Sequence, residues 1–173
     1  MTNQSAGGSG PRIEIKARFK TNRDIPGTLT VIIDGYPIRT VPVLGRGSAG
    51  SGDTQFLNKG NTPTGLYEVT AYEPRGSRSK TSYGEHGVLR IKPISGNGVI
   101  AYETHHRFGL LIHGGAASSE RSKRFKPSGD TDLHPTQGCL RLSDHNMYVL
   151  IWDIRCSQVP FGAGCIVLEV SEE

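Results

Sequence analysis

Long hydrophobic runs are missing from this chain: no stretch approaches the roughly 18 consecutive apolar residues of a membrane-spanning helix, which excludes a helical span. The start, MTNQSAGGSG, has neither a basic nor an apolar segment. No secretory signal is expected there, and residues 1–10 read as a flexible lead-in to one domain over 11–173. Cysteine is scarce: Cys139, Cys156 and Cys165 are too few, and odd in number, for a disulfide scaffold. Cys156 and Cys165 either pair across SQVPFGAG or stand as small buried thiols. Acidic residues are outnumbered, 16 to 20, and the net charge of +4 favours an anionic partner without naming one. The densest basic cluster, RSKRFK at 121–126, reads as a solvated loop. No zinc-finger spacing, RNA-binding aromatic signature or phosphate loop accompanies it, so nucleic acid is not an expected partner. The six histidines lack metal-ligand spacing, and neither a metal nor a cofactor is expected.

What is present in quantity is glycine, 23 residues, with 10 prolines and many short alternating runs. That profile predicts a mainly β fold. RIEIKARF places Ile13, Ile15, Ala17 and Phe19 on one face of a strand. Two β-rich runs flank Asp34-Gly35, a strong hairpin signal. GRGSAGSGDTQFLNKGN is a long loop, and the next strand sets Leu66, Glu68 and Thr70 against Tyr67, Val69 and Ala71. GVLRIKPIS, GVIAYETH and GAGCIVLEV read as further strands, and FGLLIHGG as a central one. One main helix is expected after Ser143, capped by that serine, with Met147, Leu150, Ile151 and Ile154 as its buried stripe.

Two loop motifs carry the chemistry. In PTQGCLRLS, Cys139 follows Gly138 at a loop tip, where the backbone can approach a ligand and donate to an oxyanion. Its thiol is either a nucleophile or a structural residue. In GLLIHGG, His113 ends an apolar run, so partial burial and a pKa near neutrality would suit it as a general base; a structural role is the alternative. His105 and His106, if in a strand, point to opposite faces and cannot share a metal. Arg141, two residues beyond Cys139, shares its face if CLRL is extended, and either grips a substrate carboxylate in bidentate fashion or pairs on the surface.

IHGG followed by PTQGCLRLS resembles the L,D-transpeptidase (YkuD-like) catalytic domain, whose signature is a histidine-glycine pair and then [ST]-H-G-C, often with an arginine. LTVIIDGYPIRTVPVLGRG and NTPTGLYEV are similar to that family's opening hairpin and T-P-x-G turn, extending the likeness over roughly 28–145. The resemblance implies a β-sandwich-like fold and a cysteine acyltransferase acting on peptidoglycan stem tetrapeptides. Attack falls on the carbonyl of the third residue, and the terminal D-amino acid leaves. An amine then takes the acyl group, by cross-linking or exchange, or water takes it in a carboxypeptidase variant. It further implies Cys139 as nucleophile, His113 as base and the Gly114 carbonyl as its orienting group. Gly138 and Cys139 frame the oxyanion site, and Arg141, Gln137 and Thr136 contact substrate.

Two departures stand out. Gln137 occupies the signature histidine's position; it can donate a hydrogen bond but cannot serve as a base. The interval to Cys139 is long for the family, and SSERSKRFKPSGD within it reads as a basic flap, with His134 in reach to compensate for Gln137. A catalytically silent peptidoglycan-binding module is the alternative reading. The substrate places the site of action in the periplasm or cell envelope. With no signal peptide read at this start, either the sequence is a trimmed form or export uses another route, as for an antibacterial effector of a type VI-like system with an immunity or secretion-system partner.

Overall fold

The computed structural model describes residues 12–50, 52–115 and 133–173. Alternation sets the first strands. In β1 (Ile13–Phe19) every second residue, Ile13, Ile15, Ala17 and Phe19, is buried, as the period of two requires. β2 (Gly27–Ile33) and β3 (Tyr36–Val43) form the hairpin. Asp34 and Gly35 both have positive φ, 51° and 83°, the backbone of a tight turn whose twist matches its strands.

β4 (Gly65–Glu73) and β5 (Val88–Ser95) pair antiparallel, with register shifts after Leu66 and Val69. β6 (Leu111–His113) and β7 (Leu140–Arg141) follow, and β8 (Ile166–Glu172) ends the chain. The order β3-β2-β1-β8-β4-β5-β6-β7 makes one sheet, with the last strand of the sequence at its centre, parallel to β1 and antiparallel to β4. Just past β3, Leu44 exchanges two backbone hydrogen bonds of 2.9 Å with Arg141 of β7. The two edges of the sheet therefore meet. The sandwich-like, mainly β fold is built from a single sheet curled nearly into a barrel, and this closure carries β7 and the residues before it to their place.

Among the described residues three helices accompany the sheet. The main one, α3 (Asp144–Cys156), starts where Ser143 Oγ accepts the Asn146 N–H at 3.1 Å and buries Met147, Leu150, Ile151 and Ile154 against the core. α1 (Lys80–Tyr83) is a single turn capped by Ser79. α2 (Asn97–Glu103) corrects the reading of GVIAYETH as a strand. Asn97 Nδ2 donates to Thr64 Oγ1 at 2.9 Å and the Gly98 N–H to the Thr64 carbonyl at 2.9 Å. These tertiary anchors satisfy donors of the first turn and override a weak β pattern. FGLLIHGG also differs from expectation, because β6 lies second from the edge rather than centrally. Among the described residues no helix is long and apolar enough to cross a membrane.

All three cysteines are free. Cys156, at the end of α3, is exposed, so it neither pairs nor acts as a core hydrophobe. Cys165 packs partly against the core. RSKRFK and the flap reading of 118–130 lie outside the described residues.

Candidate active site

β6 ends at His113, and its parallel pairing with β7 puts His113 beside Arg141 in register, one residue after Leu140 pairs with Ile112. Cys139 immediately precedes β7. Parallel pairing of two short strands thus brings the IHGG and QGCLR motifs to one place, although 25 residues separate His113 from Cys139. Both line a cavity of about 670 Å³, together with Arg141, Thr136, Gln137 and Tyr83. No aspartate or glutamate is among the described residues lining it, whereas Lys59, Arg107 and Arg141 are.

His113 is 2% exposed, and Nδ1 lies 2.7 Å from the Gly114 carbonyl. A carbonyl only accepts, so Nδ1 carries the hydrogen and Nε2 keeps its lone pair. The Tyr83 ring packs at 5.0 Å, tilted. Burial, followed by the Arg141 charge, lowers the imidazole pKa to about 4, against a small opposing pull from the Gly114 hydrogen bond. The near-neutral value expected from sequence is therefore corrected: the strand end is buried, not half-open, and a cation sits beside it.

Cys139 is 9% exposed, packed with Val88, Leu111 and Tyr83. Burial pushes its thiol up; a backbone hydrogen bond from Leu111 and the charges of Arg141 and Arg107 pull the other way. The resting pair is thus a thiol and a neutral imidazole.

The loop before Cys139 is tied down by its own backbone. Thr136 Oγ1 accepts the Gly138 N–H at 3.0 Å and donates to the Cys139 carbonyl at 2.9 Å, while Thr62 Oγ1 donates to the Gly138 carbonyl at 2.8 Å. Thr136 is buried and its hydroxyl is engaged within the loop, which differs from a substrate contact. The Gly138 amide is likewise occupied. Gly138 has φ 111°, and a Cβ there would lie 2.1 Å from Arg107 Nη2, so any side chain at this position is strained and displaces the guanidinium. The Gln137 side chain is exposed and forms no hydrogen bond among the described residues. His134 gives its carbonyl to Arg141 but does not line the cavity.

Arg141 is 2% exposed. Nη1 donates to His134 O at 3.1 Å and Nη2 to Ser82 O at 2.9 Å, and Nε is buried without a partner among the described residues. With both ends of its fork on backbone carbonyls, it is neither a surface ion pair nor an open bidentate clamp. Burial draws its pKa down to about 10, while Cys139, Tyr83 and Asp144 oppose the shift. His105 and His106 sit in the turn after α2 rather than in a strand, both lining the cavity; His105 stacks on Phe56 at 5.0 Å. No cluster of metal-ligating side chains forms among the described residues.

Sequence reasoning missed Arg107, Tyr83 and Thr62. Arg107 lies in HHRFG, where nothing local distinguishes it from a surface cation; only the fold turns it inward.

A search of curated proteins finds no match. Five chains of solved structures match. L,D-transpeptidase 1 of Mycobacterium tuberculosis shares 17% identity, covering 94% of this chain and 63% of that one, with a TM-score of 0.48. Bdellovibrio bacteriovorus Bd1075 shares 13% identity, covering 90% and 46%, with a TM-score of 0.49. This chain spans less than two thirds of either protein. The model of the YkuD family, the L,D-transpeptidase catalytic domain, matches residues 23–151, more than half of the sequence. The chain belongs to that family.

Proposed function

We propose that this protein is a cysteine-dependent acyltransferase on peptidoglycan stem tetrapeptides, with Cys139 as nucleophile and His113 as base. The observation that carries it is the meeting of the two motif loops in one cavity, with the imidazole oriented by the Gly114 carbonyl so that Nε2 is free. The thiol proton passes to Nε2 as sulfur attacks the carbonyl carbon of the third residue. The Cys139 N–H meets the oxyanion. Collapse breaks the amide bond, and the imidazolium gives its proton to the departing D-amino acid. An acceptor amine or water, deprotonated by Nε2, then releases the acyl group from sulfur. Because His113 resists protonation, proton transfer and attack run together rather than from a preformed thiolate–imidazolium pair.

Among the described residues the lining holds cations and no carboxylate, which suits a peptide rich in free carboxylates, as a stem peptide is, better than a cationic one. Its site of action on this reading is the cell envelope, and delivery as an antibacterial effector with an immunity partner belongs to the same proposal. A silent peptidoglycan-binding module is favoured by Gln137 in place of the motif histidine. Intact-protein mass spectrometry after mixing with a tetrapeptide separates the two. An acyl adduct on Cys139 is the expected result, and binding without an adduct supports the silent module. Muropeptide products then tell cross-linking, exchange and carboxypeptidase action apart.

A further inference from the structure

We infer that Arg107 is a positioning residue that fixes the reactive loop through its backbone, so that the loop's geometry does not depend on the side chain at 137. Arg107 follows α2, and its N–H is anchored to the Ala101 carbonyl at 2.9 Å. From there the guanidinium reaches between two loops. Nη1 donates to the carbonyls of Gln55 and Asn61, the latter at 2.8 Å. Nη2 donates to Gly60 O at 2.9 Å and Gln137 O at 3.5 Å. Three of these carbonyls belong to the long loop after β3 and the fourth to the reactive loop. The next residue, Gly138, leaves the space that Nη2 occupies. Thr62, directly after the long loop, adds its hydroxyl to the Gly138 carbonyl. The reactive loop is therefore held at two consecutive carbonyls, by the 2.8 Å bond from Thr62 and the longer 3.5 Å one from Arg107, while the exposed Gln137 side chain makes no hydrogen bond among the described residues.

A planar fork of donors satisfies this fan of carbonyls, and a lysine cannot, since it presents one compact charge. Arg107 has no carboxylate within ion-pair distance among the described residues, so its charge reaches the thiol without a counter-ion. Among the described residues, the other charged or titratable groups lining the cavity with Cys139 are His113 on β6, Arg141 on β7, Tyr83 on α1, and Lys59, His105 and His106 in the loops.

The inference rests on Cys139 being the nucleophile, and its test has an arm that needs no substrate. Alkylation of Cys139 by iodoacetamide is followed against pH by peptide mass spectrometry in the full chain, with exposed Cys156 as internal control. Wild type, Arg107→Gln, Arg107→Lys and Gln137→Ala are compared, and a tetrapeptide arm reads acylation as kcat and KM. Arg107→Gln moves the Cys139 inflection to higher pH and lowers acylation by on the order of 10²-fold, chiefly in kcat, because misplacing a reacting group by about 1 Å has that effect. Arg107→Lys brings the inflection back towards wild type without restoring kcat. Gln137→Ala leaves the Cys139 inflection at its wild-type pH, because the exposed side chain makes no hydrogen bond among the described residues. Equal profiles and rates for Arg107→Gln and wild type overturn the inference, as does a Gln137→Ala loss as large as that of Arg107→Gln. Should Arg107→Gln fail to fold by circular dichroism, Arg107→Lys decides, and full kcat in that variant overturns it. A shifted inflection in a protein never acylated by the peptide supports the positioning role and sinks the substrate reading instead.

Discussion

Two regions of this molecule bury an arginine almost completely, and they treat its charge in opposite ways. At the end of β1, Arg23 is fully buried, yet Nε donates to Glu172 of β8 at 2.8 Å and the guanidinium lies 4.3 Å from the centre of the Phe19 ring. Its charge is matched on the spot. At the cavity, Arg141 and Arg107 are also buried, but backbone carbonyls alone receive their hydrogen bonds, and no carboxylate lies within ion-pair distance among the described residues. A carbonyl satisfies a donor without cancelling a charge, so positive potential survives at the thiol. Burying uncompensated charge opposes folding, which makes the second arrangement a poor way to build a core and a good way to receive an anion. On the proposed function, stability is concentrated at one region and reactivity at the other.

The most severe test of that division is Cys139→Ala. Turnover should fall by on the order of 10⁴-fold or more, as when a nucleophile is removed, with melting temperature nearly unchanged. Near wild-type turnover in this variant would place the chemistry elsewhere. His113→Ala should lower the rate by on the order of 10² to 10⁴-fold, the usual share of a general base. Its steady-state rate on muropeptides is the check, and a loss below tenfold counts against the assignment.

The paired arginines set the comparison directly. Arg23→Met strands the Glu172 carboxylate, partly exposed as it is, and should lower unfolding free energy by about 3 kcal/mol while folded molecules keep full turnover. Arg141→Met removes a charge that has no counter-ion and should lower stability less, yet reduce turnover by about 10²-fold through lost electrostatic support. Urea unfolding and kcat measured on both variants give the answer. If Arg141→Met proves the less stable and Arg23→Met the less active, the division of labour is reversed.

The pH dependence of stability sharpens the same contrast. His113 binds its proton more weakly in the fold, at about 4, than the ordinary 6.5 of an unfolded chain. Between those values the unfolded state holds more protons, so stability contributed by His113 is complete above pH 6.5 and is lost as pH falls towards 4. The full amplitude is about 3 kcal/mol. Urea unfolding at pH 7, 5 and 4 should show a steeper decline in wild type than in His113→Asn. Parallel declines would mean that the imidazole is not the group responsible.

Legibility in the sequence followed the range of the interaction. The Ile13–Phe19 alternation, the Asp34-Gly35 hairpin and the Ser143-capped helix are local patterns, and each stands where the pattern put it. GVIAYETH folded as α2 because Thr64, more than thirty residues earlier, anchors its first turn. The cavity divides likewise. Cys139, His113, Gln137 and Arg141 were visible as motif residues, and the structure places them on one cavity. Arg107 was invisible because its partners are main-chain carbonyls, which leave no trace in side-chain composition. The near-neutral pKa expected of His113 failed for a related reason: burial and the neighbouring cation are set by the pairing of β6 with β7, not by the residues beside it in sequence.

Gln137 gives the smallest expected effect and the finest test of where the reactive region keeps its order. Had its amide been an oxyanion donor, replacing it with alanine would remove about 3 kcal/mol of transition-state stabilisation, near a hundredfold in rate. The side chain is exposed and unbonded, while the carbonyl of the same residue is held by Arg107 and the next two residues are tied to Thr62 and Thr136. Gln137→Ala should therefore change kcat by less than about threefold and leave stability within about 0.5 kcal/mol. Gln137→His should do as little, since the loop takes no hydrogen bond from the side chain at 137 among the described residues. Intact-protein mass spectrometry with a tetrapeptide donor measures all three forms under one condition. Equal acylation of wild type and both variants places the order of the loop in its backbone. An adduct that forms only in Gln137→His would show that the motif histidine supplies something the backbone cannot, and would identify the native chain as a silent binder.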